Sequence, residues 1–254
     1  MENLIEVLEK LKSMGCSGVK ISFEDEGALY NEIITMRNLT CKVGLELSVK
    51  IGGCEAKRDI VDCIDLNVDT IVAPMIESKF ALKKFLKSLD CYNYNKKKGF
   101  NLETICGYQN LEKMSEIFDK VDFVTFGRVD FVSSIDKDRT YVDSEEMYRM
   151  VEEVFVETRK RGALCYLGGA ISIGSSDFIK KLLEKKLLDK FETRYIIYDT
   201  HKINNDLDKL LYWGNVFEIA WLKYINERYS LHANKDVARI KMIQDRISLN
   251  KIEK

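Results

Sequence analysis

Short runs of apolar residues alternate along the chain with segments whose apolar positions recur every three to four residues. The runs are typical of strands covered on both faces, and the segments between them are typical of amphipathic helices. Seven runs predict strands, at residues 19–24, 43–51, 70–75, 101–105, 123–128, 164–168 and 194–198. Predicted helices between them include residues 55–67, 79–89, 111–118, 144–161 and 176–186. This alternation predicts α/β units around a parallel sheet.

The chain of 254 residues has the length of one α/β barrel. We therefore predict a TIM-type (β/α)8 barrel, which has eight strands when complete. Only seven are visible. Either the first strand is missing, since the apolar stripe of Leu4, Val7, Leu8 and Leu11 opens the chain with a helix, or one strand is overlooked.

The segment after residue 203 has a different character. It is helical in pattern, rich in aromatic residues and followed by no strand. We predict a barrel domain at 1–203 and a helical extension at 204–254. The extension is too apolar to stand free, so it packs either across the barrel or on a neighbouring subunit. We favour the neighbour, and with it a homo-oligomer.

The overall charge and the cysteines exclude several classes of function. Lys and Arg total 40 against 41 Asp and Glu, so no bulk attraction to nucleic acid or to an anionic membrane is expected. No apolar run reaches the ~20 residues that span a bilayer. The seven cysteines are scattered without a CxxC pair, which favours reduced thiols in a cytoplasmic protein over a zinc or disulfide framework.

Two acidic residues stand at the predicted ends of strands, where a parallel barrel places its active site. Glu103 follows Asn101-Leu102, and Asp130 lies between apolar residues after Gly127. A divalent cation would satisfy both carboxylates, and with only two histidines in the chain Mg²⁺ or Mn²⁺ suits the site better than zinc. The alternative is a pair of ordinary surface acids or internal ion pairs.

Two further strand ends are candidates for ligand binding. Lys50 precedes Gly52 and Gly53, a pattern that either cradles an anion or forms an ordinary tight turn. Gly169 lies in a glycine-containing loop whose backbone amides are expected to face a ligand. Gly127 permits close approach of the backbone beside Asp130.

Taken together, these segments resemble the HpcH/HpaI aldolase and citrate lyase β-subunit family of phosphoenolpyruvate/pyruvate-binding barrels. The resemblance covers about residues 18–136, roughly half the chain. Its most specific parts are the run IVAPMIES at residues 71–78, the Glu103-Thr104 pair, and FGRVD at residues 126–130. It implies that Glu103 and Asp130 bind Mg²⁺ or another divalent ion, and that Lys50 takes the place of an arginine that binds the carboxylate of pyruvate.

The chain departs from that family in three places. The histidine that aids proton transfer is absent from its early strand end, where Glu24 and Asp25 are the remaining candidate bases if burial raises a pKa. Lys50 supplies charge without the bidentate fork of arginine. Arg128 stands where many relatives have proline, and we expect it to bind a phosphate, a carboxylate or a CoA-type tail.

The resemblance implies a divalent-metal-dependent carbon–carbon lyase, aldolase-like, that acts on a pyruvate-type 2-oxo acid through a metal-stabilised enolate. One alternative keeps the metal but uses a phosphoenolpyruvate-like or acyl-CoA substrate without an aldol step, for which Arg128 argues. The other is a non-catalytic binding subunit, for which the missing histidine argues.

Overall fold

The chain forms a closed barrel of eight strands in sequence order, in a computed structural model that describes residues 2–203 and 206–249. The fold class predicted from the sequence is confirmed. The strands are β1 (Cys16–Ser22), β2 (Glu46–Lys50), β3 (Thr70–Ala73), β4 (Lys97–Leu102), β5 (Phe123–Gly127), β6 (Leu164–Gly168), β7 (Lys190–Glu192) and β8 (Ile196–Asp199).

Ten α-helices lie in the described residues: α1 (Glu2–Ser13), α2 (Tyr30–Val43), α3 (Lys57–Asp65), α4 (Lys79–Cys91), α5 (Ile105–Gln109), α6 (Leu111–Ser115), α7 (Arg128–Ser133), α8 (Glu145–Lys160), α9 (Ser176–Glu184) and α10 (Leu207–Leu249). Short 3₁₀ segments occur at Phe118–Lys120, Arg139–Asp143 and Ile173–Ser175. Helix α8 begins after Ser144, whose hydroxyl accepts a hydrogen bond from the amide of Met147, as an N-cap should.

The eighth strand corrects the sequence prediction in two respects. The first strand is present, and the overlooked strand is β7, whose three residues are too few to show a periodic pattern. Strands β1 to β7 are parallel, but β8 runs antiparallel to both β7 and β1. Only residues 193–195 join β7 to β8, far fewer than a crossover to a parallel strand requires, so the chain must turn back.

Aromatic side chains close the lower half of the barrel. The rings of Phe123 and Tyr166 stack with their centroids 4.1 Å apart, and Val72 packs with them. Gly99 makes this packing possible, because a Cβ there would lie 2.4 Å from the Phe123 ring. The cluster forms a floor, and the space above it opens at the carboxyl ends of the parallel strands.

The first part of helix α10 packs on its own barrel, which is the alternative that we ranked second from the sequence. Its residues Leu210, Phe217 and Trp221 are buried in the chain's own core. The hydroxyl of Tyr198 in β8 donates a 2.6 Å hydrogen bond to the carbonyl of Leu210. The homo-oligomer remains a prediction.

The later part of α10 extends away from the barrel. Its apolar side chains Leu231, Val237, Ile240 and Ile243 are exposed. Across the described ranges, 2–203 and 206–249, no helix is both long and apolar enough to cross a membrane.

Candidate functional site

A cavity of about 450 Å³ opens at the carboxyl ends of the parallel strands. It brings together most of the residues singled out from the sequence: Asp25, Lys50, Glu103, Gly127, Asp130 and Gly169. Lys50 is the last residue of β2, Glu103 directly follows β4, and Asp130 lies in the first turn of α7, three residues after the end of β5. The geometry is that of a barrel active site.

The carboxylate of Glu103 is buried and held from both sides. Its Oε1 accepts a 2.9 Å hydrogen bond from the backbone amide of Met75, and its Oε2 accepts one of 2.9 Å from the side-chain amide of Asn101. Met75 has a φ of 49°, in the left-handed region that a non-glycine residue seldom adopts. Strain at the end of β3 thus accompanies the orientation of Glu103.

Gly127 provides the space that Glu103 occupies. A Cβ at Gly127 would lie 2.6 Å from Oε2 and 2.8 Å from the Cβ of Glu103. The backbone of Gly127 has an ordinary φ of −92°, so the requirement for glycine is one of space alone. The predicted close approach at this position is therefore an approach to Glu103.

The charges of Glu103, Asp130 and Lys50 act on one another. Burial raises the pKa of Glu103, which Lys50 partly offsets, and Asp130 raises it further. Burial likewise raises the pKa of Asp130. Burial opposes the charged form of Lys50, but Glu103, Glu24 and Asp25 together outweigh it and raise the pKa of the lysine. A change in the charge of any one of these three groups therefore shifts the pKa of the others.

The donor set fits a small divalent cation. Mg²⁺ is typically held by one or two carboxylates and completes its coordination with water and substrate oxygens. Glu103 and Asp130 supply two carboxylates, and nearby Asn101 Oδ1 and Thr125 Oγ1 are buried cavity-lining atoms without a partner among the described residues. Within that same part of the chain, no group of three His, Cys, Asp or Glu residues is placed to hold a metal ion. A protein-only cage, as zinc often has, is thus not formed.

Lys50 lies in the cavity and forms an ion pair with Glu24. Its ammonium is 2.7 Å from a carboxylate oxygen of Glu24. The Gly52 amide, in the turn that follows, donates a 2.7 Å hydrogen bond to Asp59 Oδ2. This turn lies outside the cavity lining, which favours the tight-turn interpretation of Gly52 and Gly53 over the anion cradle.

Of the three acidic residues in the loop after β1, Glu26 has the most buried side chain. Glu24 is paired with Lys50, and the side chain of Asp25 is 59% exposed. The side chain of Glu26 is only 9% exposed, and burial raises its pKa to about 7 despite the opposing charges of Lys20 and Arg194. The description of a carboxyl with a pKa raised by burial therefore fits Glu26.

Arg128 does not face the cavity, which contradicts the expectation that it binds a ligand. Its side chain is fully buried, and its guanidinium donates to Asp143 (2.6 Å) and to the carbonyls of Gly168 (3.3 Å) and Gly169 (2.8 Å). The carbonyl of Val142 and the hydroxyl of Ser175 accept further hydrogen bonds, and the cation lies over the ring of Phe178. All five donors are used within the protein, so Arg128 is structural.

Gly169 lies in the cavity wall. It has a φ of +81°, and a Cβ there would lie 2.7 Å from the backbone nitrogens of Arg128 and Val129. The loop after β6 therefore packs directly against the start of α7, the helix that carries Asp130. This contact fixes the position of Asp130 relative to the neighbouring strand.

Several cavity residues carried no signal that singled them out. Lys20 in β1 forms a 2.9 Å ion pair with the buried Glu192 of β7. Asn215 and Glu218 reach the cavity from α10, far away in sequence.

Comparison with known proteins finds matches among solved structures. No protein-family model matches the chain, and no curated protein matches it. An HpcH/HpaI aldolase from Desulfitobacterium hafniense DCB-2 superposes with a TM-score of 0.62 at 11% identity, covering 76% of this chain and 82% of that one. An HpcH/HpaI aldolase/citrate lyase family protein from Burkholderia cenocepacia J2315 gives 0.60 at 13% identity, covering 74% and 83%. The citrate synthase SbnG gives 0.60 at 13% identity, covering 88% and 90%.

These solved structures carry the barrel of the family whose motifs the sequence resembles. The family resemblance stated from the residues is thus matched by independent likeness in fold. At such low identity the likeness establishes the fold, and a shared fold by itself hosts many activities.

Proposed function

We propose that this chain is a divalent-metal-dependent carbon–carbon lyase of the HpcH/HpaI type, acting on a pyruvate-type 2-oxo acid. One observation carries the proposal. Glu103 and Asp130, the two carboxylates that match the family's metal ligands, line the same strand-end cavity as Lys50, whose charge acts on both.

Glu103 and Asp130 would hold the ion, Mg²⁺ or Mn²⁺. A divalent ion at this position supplies positive charge that stabilises the enolate formed when a bond next to a 2-oxo group breaks. The protein's own contribution is to present both carboxylates already fixed, since Met75 and Asn101 hold Glu103 and the Gly169 contact places α7. Fixed donors need little reorganisation when the charge develops.

Lys50 would bind the substrate carboxylate. Its pKa is raised above the ordinary lysine value, so it is cationic at neutral pH. Its partner Glu24 is 28% exposed and can turn toward solvent when a substrate carboxylate replaces it. A single ammonium gives one charged contact where an arginine would give a planar fork.

The alternative with a phosphoenolpyruvate-like or acyl-CoA substrate depended on Arg128. That guanidinium is committed to protein groups, and no other observation favours the alternative. A non-catalytic subunit is also disfavoured, because burying two acids and a lysine in an open cavity costs stability without a function to maintain it.

Exchange of the methyl protons of pyruvate in D₂O, followed by NMR, tests the proposal. With Mg²⁺ or Mn²⁺ present, the wild-type protein should catalyse exchange, and Glu103→Gln and Asp130→Asn should each lower it by roughly 100-fold or more. Calorimetric titration with Mn²⁺ should show weakened binding in both variants. Glu145→Gln, an exposed carboxylate on α8 outside the cavity, is the matched control. Absence of exchange with any divalent ion would overturn the aldolase assignment.

A further inference from the structure

A second cavity of about 390 Å³ lies beside the first, between the loop after β1 and helix α10. Six of its ten lining residues are apolar or aromatic: Ile21, Ala28, Tyr195, Trp221, Leu222 and Ile225. We call it the side cavity. It differs from the strand-end cavity, whose wall is dominated by charged and polar groups.

The two cavities share part of their walls. Ile21, Glu26, Arg194 and Glu218 line both of them. A molecule whose polar end lies near the strand ends could therefore extend into the side cavity past these residues. The continuity makes the side cavity a candidate extension of the proposed substrate site.

Glu26 stands at this boundary with one carboxylate oxygen unused. Its Oε1 lies 3.5 Å from Nε of Arg194, and its Oε2 is buried without a hydrogen-bond partner among the described residues. A buried carboxyl oxygen without a partner costs free energy that a hydroxyl donor would recover. The residue is aimed at a group that the protein itself does not provide.

The other charged and titratable groups around Glu26 come from several elements. Lys20 of β1, Lys50 of β2 and Arg194 favour its ionised form, while neighbouring Asp25 opposes it. The charges of Glu26 and of Glu218 in α10 both raise the pKa of Tyr195. Glu32 of α2 lines the side cavity. Burial nevertheless dominates and raises the pKa of Glu26 to about 7, a value suited to proton transfer near neutral pH.

We propose that the side cavity binds an apolar chain on the substrate's acceptor portion, and that Glu26 receives the proton of the substrate hydroxyl next to that chain. This inference rests on the proposed function. It adds to that function an alkyl or aryl substituent on the acceptor portion of the substrate, and Glu26 as a catalytic residue.

In the cleavage direction, the O–H proton of the hydroxyl passes to the Glu26 carboxylate, and the electron pair of that O–H bond forms the carbonyl of the aldehyde product. The carbon–carbon bond breaks, and its electron pair stays with the 2-oxo fragment as an enolate. A proton from solvent adds to the enolate carbon and yields pyruvate, while Glu26 releases its proton to solvent, so no oxidant or further reactant is needed.

The apolar wall favours a hydrocarbon occupant over a second polar group. Burying one methylene favours binding by roughly fourfold, so each added methylene of a substrate that extends into the side cavity should raise kcat/KM by about that factor until the cavity is filled. A second anion is disfavoured, because Glu26, Glu32 and Glu218 all line the same space.

A homologous series of 4-hydroxy-2-oxo acids, with substituents from methyl to hexyl, tests the subsite in the Mg²⁺-loaded protein. In the wild type, kcat/KM and the affinity measured by calorimetry should both rise with chain length. Leu222→Glu places a charge in the side cavity at a position that is 43% exposed, and should flatten this dependence. Ile219→Glu, on the same helix and outside both cavities, should leave it intact. Affinity that is independent of chain length overturns the subsite.

Glu26→Gln tests the catalytic step. It should lower cleavage by roughly 100-fold or more relative to pyruvate proton exchange, because exchange breaks no bond to a hydroxyl oxygen. Glu26→Asp should recover part of the cleavage. Equal loss of both reactions, or loss of neither, overturns the role of Glu26. Failure of the proposed function is separate, because it appears as absent exchange in the wild type, while the calorimetric series still reports on the side cavity.

Discussion

The α-carbon of Gly127 lies directly against the carboxylate of Glu103, so that a Cβ at Gly127 would come within 2.6 Å of Oε2. The two residues lie on neighbouring strand ends, β4 and β5, and one can be placed only because the other has no side chain. Gly127 precedes Asp130 by three residues, yet it provides the space for Glu103, the other carboxylate of the proposed metal pair.

Gly127→Ala should displace Glu103 and weaken Mn²⁺ binding by at least tenfold, with a stability loss of about 1–3 kcal/mol from overpacking. Calorimetric titration and urea denaturation measure the two effects. Gly53→Ala is the matched control, since a Cβ there meets no atom within 4 Å. Unchanged Mn²⁺ affinity in Gly127→Ala would show that Glu103 does not depend on this space.

Glu26 should make the protein less stable as pH rises. Its pKa is raised from 4.5 to about 7 by burial, so between those values the folded protein keeps a proton that the unfolded chain has released. The free energy of unfolding therefore falls through this window and levels off above about pH 7. Glu26→Gln should exceed the wild type in stability by roughly 1–3 kcal/mol at pH 8 and by little at pH 4.5.

Urea denaturation of both proteins at several pH values measures this difference. Asp25→Asn, at a neighbouring exposed carboxyl, is the control and should show no comparable gain at pH 8. A gap between Glu26→Gln and the wild type that stays constant from pH 4.5 to pH 8 would contradict the assignment.

Arg128→Met should destabilise the protein by about 3–5 kcal/mol, because it leaves Asp143 and the carbonyls of Gly168 and Gly169 without their donor. Thermal and urea unfolding measure the loss. Arg149→Met, at an exposed position on α8, should cost less than about 0.5 kcal/mol. If Arg128→Met folded normally but lost affinity for phosphate or carboxylate ligands, the structural role of Arg128 would be wrong.

Phe217→Ala should cost about 3–5 kcal/mol, since this fully buried side chain of α10 packs against Tyr195 of the same chain. The loss should not depend on protein concentration, because the contact is intramolecular. Tyr212→Ala, at a side chain of α10 that is 62% exposed, is the control. A loss that vanished on raising the protein concentration would point instead to packing between subunits.

The strand-end candidates could be predicted because a parallel barrel fixes where strand ends meet. Lys50, Glu103 and Asp130 each follow an apolar run, and alternation alone placed them at one end of the barrel. The orientation of Arg128 could not be predicted in this way. Its side chain turns inward to Asp143 in the 3₁₀ segment Arg139–Asp143 and to the loop after β6, contacts that depend on tertiary packing.

The burial of Glu26 also depends on tertiary packing and could not be predicted from the sequence. Glu26 stood in the run with Glu24 and Asp25, and nothing in that run distinguishes the three acids. Its burial arises from Arg194, in the turn between β7 and β8, and from α10, whose Glu218 shares its cavities. Strand β7 has too few residues to show a periodic pattern. The antiparallel direction of β8 could not be predicted without it, because that direction follows from the short connection between β7 and β8.

That reversal also bears on how such a protein can diversify. Because β8 returns to the far end of the barrel, its carboxyl end contributes no loop to the cavity, and α10 supplies Asn215 and Glu218 to the wall instead. The strand ends carry the groups proposed for bond breaking, while the tail shapes the space beside them. Mutations in α10 can thus change which substrates bind without changing the reacting groups. New substrate specificities can therefore evolve while the catalytic residues are retained.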